Sequence, residues 1–591
     1  MVPEGKQLEF IEKVKSNNKY ILVEAPAGTG KTFSCIQAVK ALCDSNRLES
    51  YQKVLVLTFS RNARAQLLKE LSTFPLEDDI YKHIDINNYH SFFKKYLDTY
   101  RDTIGINKKL CVIDEMDFYE ELFAYAADIG VTLNDKLNCS VLDDFIIEDG
   151  KLKCLNTKSK LRKVKQADIE TFEKTAFLFT QATGKVCFAQ FGNLVYRILT
   201  RLPEMASAIS HDYPVLILDE YQDTNYFQEY FVRSVLRESS GIFFCDRYQM
   251  IYEFRGSTIK RIEELESLYS GIVKIEFDEY FRYKNKNDLV QLLTGIRNGG
   301  VPNYSSLVNG QLIEVTVDCE KEWREIKKTK SQKMQCTLYC KSVVYRIMSG
   351  ISKLLKRRKS VAILCRNNME VDKLVELFFE NNFYPKEFTD TKDMIMTGKY
   401  LKKLLKDIPI SEKIADIMTV AVLCSSKKNL FGETIEDVSR LTFESLKRKT
   451  KQGYKSIKPL VSSCADKCDY KTAVDLLIKI LNIAEENDEI ICNNIKKFIE
   501  QCSKLENATE ETIDGVMLQR QYTNSFTNIT PGLYITTIHQ SKGKEFDCVL
   551  VLDVEKIVDD RNLLYVSHSR MKEQLYPVVV KYQGLKYGKK G

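Results

Sequence analysis

No apolar run in this 591-residue chain approaches the ~20 residues that a bilayer-spanning helix requires. The opening stretch MVPEGKQLEFIEK has no apolar segment of the secretory kind, so a cytoplasmic location is expected. None of the seventeen cysteines stands in CxxC spacing, which favours reduced, mostly buried thiols over a disulfide framework. The nearest grouping, Cys464 and Cys468 with Cys492 and Cys502 further on, is more widely spaced than structural zinc sites prefer. Short-period repeats and low-complexity tracts are also missing, which argues against solenoids and fibrous arrays. Tryptophan occurs once, at Trp323, and histidine five times.

What is present is ordinary for a soluble globular protein: 44% hydrophobic and 29% charged residues, too many in total for one core. The net charge of +7 is modest, but basic runs recur at Lys151 to Lys165, Lys353 to Lys359, Lys447 to Lys458 and in the tail KYQGLKYGKK. One such run is usually a solvated face; several beside phosphate chemistry point to a polyanion partner. Strand–turn–helix alternation in YILVEA, APAGTGKT, TFSCIQAVKALC and KVLVLTF predicts a parallel α/β sheet. It resumes at PVLILDE and GIFFCD after a mainly helical stretch, in which IIEDGKLKCLNTKSK reads as a loop. A second series runs through GIVKIEF, QLIEVTV and VAILCR and returns at LYITTIH and DCVLVLDV. The expected organisation is a first α/β domain over residues 1–98 and 206–270, with a helical insertion at 99–205. A second would cover 271–390 and 528–591, with a helical, Lys-rich insertion at 391–527.

Two short stretches carry the chemistry. Ala25, Pro26, Ala27, Gly28, Thr29, Gly30, Lys31 and Thr32 fit the phosphate loop GxxxxGK[ST] except for alanine at its first position. Between a strand and a helix, such a loop cradles phosphates with backbone N–H groups; Lys31 neutralises them and the Thr32 hydroxyl reaches Mg²⁺. The second stretch, ILDEYQDTN, is an aliphatic run ending at Asp219 and Glu220. Two acids at a strand end are common turn residues. With a phosphate loop in the same sheet they become a Mg²⁺ holder, Asp219, and a residue that orients or deprotonates water, Glu220. ATP and Mg²⁺ are the expected substrate and cofactor.

DEYQDTN resembles the second motif of superfamily 1 DNA helicases of the UvrD/Rep type, DExQDTN, and the resemblance extends along the chain. LTFSRNAR (57–64) and NYHSF (88–92) are similar to motifs Ia and Ib. CDRYQMIYEFRGS (245–257) resembles motif III, written GDxxQxIYxWRGA, and EYFRY (279–283) the NYR motif. ITTIHQSKGKEFDCVLV (535–551) is similar to motif V, and LLYVSHSR (563–570) to the LxYVxxTR of motif VI. The resemblance implies two RecA-like motor domains, each interrupted by a largely helical subdomain, and 3′→5′ movement on single-stranded DNA.

It also implies roles. Gln7 would read adenine, Phe281 would stack on it, and Glu545, beside Gly543, would contact the ribose. Gln249 would sense the γ-phosphate, and Arg282 and Arg570 would act as arginine fingers, for which a planar, always-charged fork is suited. Phe59, Tyr252, Phe254 and Arg255 would lie along the DNA strand, where stacking contributes about 1–3 kcal/mol per base in any sequence. His90 and His539 fall in the DNA-contacting motifs, which favours phosphate or sugar contacts over metal binding.

Departures from the family pattern include Tyr280 for asparagine, Lys544 for leucine, Ser569 for threonine, Cys245 for glycine and Phe254 for tryptophan. The arginine pair that opens motif VI is also altered, in DDRN. None removes a phosphate-contacting residue, but together they point to a divergent member with altered coupling. Two alternatives to a helicase stay open: a translocase with little unwinding of its own, or an ATPase that senses DNA ends. No nuclease-like cluster of acids and lysine follows motif VI, so cutting would fall to a separate nuclease in repair or phage defence.

Overall fold

The computed structural model describes all residues except 1–2, 74–77, 149–150, 157, 254–255, 319–331, 382, 384, 386–390, 407, 425–430, 432–434, 464–468, 487–492, 506, 526–528 and 584–591. Two compact units emerge: residues 1–386 with 528–591, and residues 387–527.

The larger unit is built on two parallel sheets. The first contains β1 (Tyr20–Glu24), β2 (Val54–Thr58), β3 (Ile84–Asn88), β4 (Val215–Leu218), β5 (Ser240–Cys245) and β6 (Val273–Glu276), in the order β6-β1-β5-β4-β2-β3. Its four inner strands, β1, β5, β4 and β2, are near-continuous apolar runs because both faces are covered. Successive residues point to opposite faces, so Leu22, Leu55, Leu57, Leu216 and Leu218 enter one core. Their neighbours Ile21, Val23, Val54, Val56, Val215 and Ile217 enter the other. The second sheet has the order β7-β11-β10-β8-β9, from β7 (Ile313–Asp318), β8 (Ser360–Cys365), β9 (Gly532–Thr537), β10 (Phe546–Val551) and β11 (Met571–Gln583). The fold is therefore the expected one, two RecA-like parallel sheets with helical insertions.

Three features differ from the sequence reading. The strand within GIVKIEF does not begin the second domain: β6 pairs in parallel with β1, Ile21 to Val273 through Glu24 to Glu276. A short alternating strand carries no mark of the sheet it will join, so the change of domain lies beyond residue 276. The segment read as a loop within residues 145–154 is an antiparallel hairpin, Phe145–Glu148 against Lys151–Cys154. Its polar residues concealed a strand pair whose first strand buries Phe145 and Ile146, one on each face. Finally, the helices Phe191–Arg201 and Glu204–Asp212 pack into the core of the first sheet through Leu194, Ile198, Met205 and Ile209. A separate core around Phe118, Leu122, Phe172 and Phe179 belongs to the insertion.

The second unit, Glu387–Thr527, is helical among its described residues, around Ile414, Ile417, Leu477, Ile480 and Phe498. Its basic run lies on Phe443–Arg448, capped by Thr442 and Ser445, and on Gln452–Ser463. Lys458 donates to the Lys449 carbonyl at 2.7 Å, so part of the run serves local structure. Cys502 is buried, while Cys464, Cys468 and Cys492 lie outside the described residues, as does Trp323. No described helix is long and apolar enough to cross a membrane.

Candidate active site

The chain leaves β1 through residues 25–30, pinned by Ala25 N–H to the Cys245 carbonyl at 2.9 Å. Gly28 and Gly30 have φ of +87° and +81°, a region that costs an L side chain strain. Space is short as well: a Cβ on Gly28 would lie 2.9 Å from Arg282 Cβ, and one on Gly30 would displace the Gln7 amide. Buried Gln7 donates to the Thr29 carbonyl at 3.0 Å, and the Thr29 hydroxyl to that of Pro26 at 2.8 Å. Ala27 N–H donates to the Tyr565 hydroxyl at 3.2 Å. Lys31 and Thr32 open the helix Lys31–Asp44. Its first-turn N–H groups have no carbonyl partner within the helix and carry its positive end, the geometry an anion requires.

Asp219 and Glu220 follow β4. Glu220 is left-handed at φ 52°, a backbone cost of about 1–2 kcal/mol for a residue with a side chain. Lys31 Nζ forms an ion pair with Glu220 and stands 3.5 Å from Asp219 Oδ1. Gln222 donates to the other Glu220 oxygen. Burial raises the Asp219 pKa above the usual carboxylate range. Burial acts on Glu220 too, but Lys31 and Lys542 outweigh it and hold that group below its usual value. Lys31 is raised, burial opposing and the two carboxylates prevailing. Asp219 Oδ1 is buried and accepts no hydrogen bond. A buried carboxylate oxygen near Lys31 but not hydrogen-bonded, beside a phosphate loop with a helix-start threonine, is an oxygen donor set that fits Mg²⁺.

The second sheet supplies the opposing wall. Arg570 Nη2 donates to Gln249 Oε1 at 2.9 Å, while Gln249 Nε2 donates to Asp246 Oδ2 at 2.8 Å. Arg282 N–H donates to the Gly28 carbonyl at 3.1 Å, and its guanidinium to Glu545 and to the Ser569 carbonyl. Glu545, expected at a ribose, thus holds Arg282. Burial lowers the Arg570 pKa, and the nearby Arg282 cation lowers it further. Arg570 is buried and Arg282 partly so, and two neighbouring guanidiniums that repel each other mark a place for an anion. Phe281 lies beside Gly30, its Cδ2 3.5 Å from where a Cβ would stand, next to Gln7. Gly543 has φ +77° and ends the turn before Glu545.

Of the residues expected along a DNA strand, Phe59 and Tyr252 stack with ring centroids 5.3 Å apart. The Tyr252 hydroxyl donates to the His539 carbonyl at 3.3 Å. His90 lies near the rings of Phe188 and Phe191, with centroids 5.7 and 6.2 Å away. Phe254 and Arg255 lie outside the described residues.

Sequence reading missed several members of this site. Lys542 pairs with Asp223, whose side chain is fully buried, and donates to the Gln249 carbonyl, all at 2.5 Å. Both residues sit inside quoted motifs, QDTN and SKG, but only folding brings them together. Burial pushes the Asp223 pKa up to about 6, against the pull of Lys542. His568 was another omission. It is wholly buried beside Ser569, its Nδ1 bonded to the Leu564 carbonyl at 2.9 Å and its Nε2 to the Tyr304 hydroxyl at 3.0 Å. Burial lowers its pKa to about 4.

An unfolded histidine protonates near 6.5, so His568 stabilises the fold above that pH and loses the contribution as pH falls towards 4. The difference amounts to about 3 kcal/mol. Unfolding free energies of wild type and His568→Gln, compared from pH 7 to 4, should show the wild type losing that much relative to the variant. Parallel profiles would contradict the assignment.

Residues 7–270 match the model of the UvrD/REP helicase N-terminal domain, and residues 532–578 that of the UvrD-like helicase C-terminal domain. Over 96% of its length the chain is 20% identical to an ATP-dependent DNA helicase PcrA of Staphylococcus epidermidis, covering 82% of that protein. An ATP-dependent DNA helicase PcrA of Staphylococcus aureus matches at the same identity and the same coverage. The two matched domains occupy just over half of the chain and bracket the phosphate loop, the acidic pair and motif V, and on these grounds the chain belongs to the UvrD/REP helicase family.

Proposed function

We propose that this protein is an ATP-driven motor that moves 3′→5′ along single-stranded DNA and opens duplex ahead of it. The observation that carries this reading is the bond from Arg570 to Gln249, which joins the second sheet to the residue between the acidic strand and the Phe59–Tyr252 stack. Nucleotide phosphates entering at residues 25–32 would compete with Glu220 for Lys31. Freed of Lys31 but still facing Lys542, Glu220 would orient and deprotonate the attacking water. Arg570 and Arg282 would donate to the transferring phosphoryl group, which requires the two sheets to close on it. Asp219 and Thr32 would hold Mg²⁺, which would supply positive charge against the phosphates. After hydrolysis the arginines lose their anion and the sheets relax, so the grip on the strand alternates with the state of the nucleotide.

Gln7 and Phe281 would flank the adenine, and Phe59, Tyr252 and His539 would face the bases, with His90, Phe254 and Arg255 further along the strand. Strand displacement on duplexes with 3′ or 5′ tails tests the reading. Unwinding from the 3′ tail alone is expected. DNA-stimulated hydrolysis without displacement from either tail would favour a translocase serving a separate nuclease, and equal displacement from both would refute the polarity.

A further inference from the structure

The motif that carries Gln249 is written GDxxQ in the family, leaving open the position that Tyr248 fills here. Tyr248 belongs to the short helical turn Arg247–Gln249, whose start is capped by Asp246. Two arginines carried by the opposing wall close on its ring. Arg561 has its guanidinium carbon 4.5 Å from the ring centroid, and Arg297 5.0 Å. Both positions lie within the ~6 Å reach of a cation–π contact.

The arginines are themselves held. They sit on the mutually packed helices Asn287–Arg297 and Arg561–His568, and Arg561 Nε donates to the Ile296 carbonyl at 2.9 Å. Arg297 is buried. Its Nη2 reaches Glu24, the last residue of β1 before the phosphate loop, and Glu276 of β6, both at 3.4 Å. Its Nε is buried without a hydrogen-bond partner. Arg297 Nη1 also donates to the Tyr280 hydroxyl at 3.5 Å, but the aromatic face and the two carboxylates partner this guanidinium only while the walls are together. Four contacts therefore tie these helices to the first sheet: Arg561 on Tyr248, and Arg297 on Tyr248, Glu24 and Glu276. Tyr248 adjoins Gln249, and Arg561 begins the helix after which Arg570 follows, so the grip and the Gln249–Arg570 bond form or break together.

We infer that Tyr248 is a positioning residue: clasped between Arg297 and Arg561, it couples closure of the two sheets to seating of Gln249 against Arg570. This rests on the motor reading above. It places no group on the nucleotide and works through the population of the closed arrangement. Loss of the ring should slow the step that needs closure and leave nucleotide binding to the phosphate loop intact.

The test compares DNA-stimulated ATP hydrolysis by wild type, Tyr248→Leu, Tyr248→Phe and Arg561→Gln, each first shown to melt as wild type does. Lys31→Ala serves as the control for the site itself. Tyr248→Leu and Arg561→Gln are expected to lower kcat about tenfold, with KM for ATP within about twofold. Tyr248→Phe, which keeps the ring face, should restore wild-type turnover. The double variant Tyr248→Leu/Arg561→Gln should be no slower than the worse single one, because both remove one contact. Full turnover in Tyr248→Leu, equal loss in Tyr248→Phe, or additive losses in the double variant would overturn the inference. A wild type that hydrolyses no ATP, or a Lys31→Ala variant that hydrolyses it fully, would instead refute the motor reading.

Discussion

Lys31→Ala is expected to abolish DNA-stimulated ATP hydrolysis, with turnover falling by at least about 100-fold and nucleotide binding weakened as well. Lys31 is the cation that balances Asp219 and Glu220, two adjacent carboxylates of which the first is buried and the second partly so. Removing it leaves them side by side, where one would be driven to take up a proton. Glu220→Gln makes the complementary case. The amide keeps the size of the side chain but cannot accept a proton, so turnover should fall by about 10²–10⁴ while binding of nucleotide is retained. A fluorescent nucleotide titration beside steady-state hydrolysis separates the two outcomes. Undiminished hydrolysis in either variant, with the protein folded by circular dichroism, would remove these residues from the site.

Arg570→Ala should lower kcat by about 10³ or more, the range seen for arginine fingers, with little change in KM for ATP. Arg570→Lys should recover only part of the loss, because a point charge cannot reproduce a planar fork. Arg282→Ala is expected to behave differently. Arg282 also holds Glu545 and bonds the Ser569 carbonyl, so its removal strands a partly buried carboxylate near Arg570. Both kcat and KM should then suffer. Equal effects of the two substitutions on KM would contradict the distinct partners assigned to them, and kcat within tenfold of wild type for Arg570→Ala would exclude it as a finger.

These residues differ in how readable they were. Lys31, Asp219 and Glu220 lie in contiguous stretches whose chemistry is local: a strand ends, a turn aims the side chain, a helix begins. Backbone geometry over a few residues decides such features, so a short quoted run carries them. Gln249 and Arg570 were legible through motif resemblance, but their hydrogen bond joins positions 321 residues apart. The pair Lys542–Asp223 and the clasp on Tyr248 were not legible in any stretch. A lysine, an aspartate or a tyrosine in a polar run has the same local signature whether it faces solvent or a partner.

The sequence by itself determined the two parallel sheets, through aliphatic runs that can be buried only if both faces are covered, and the phosphate loop, through glycines no other residue can replace. It also determined that the acidic pair closes a strand. Tertiary structure alone decided which sheet β6 joins, since four alternating residues fit an edge of either one. It decided that residues 191–212 cover the first sheet and that Glu545 holds Arg282. It likewise brought two arginines from distant helices onto one tyrosine. The physical reason is common to all of these. Burial and pairing depend on what the rest of the chain brings alongside, and no local pattern of residues contains that.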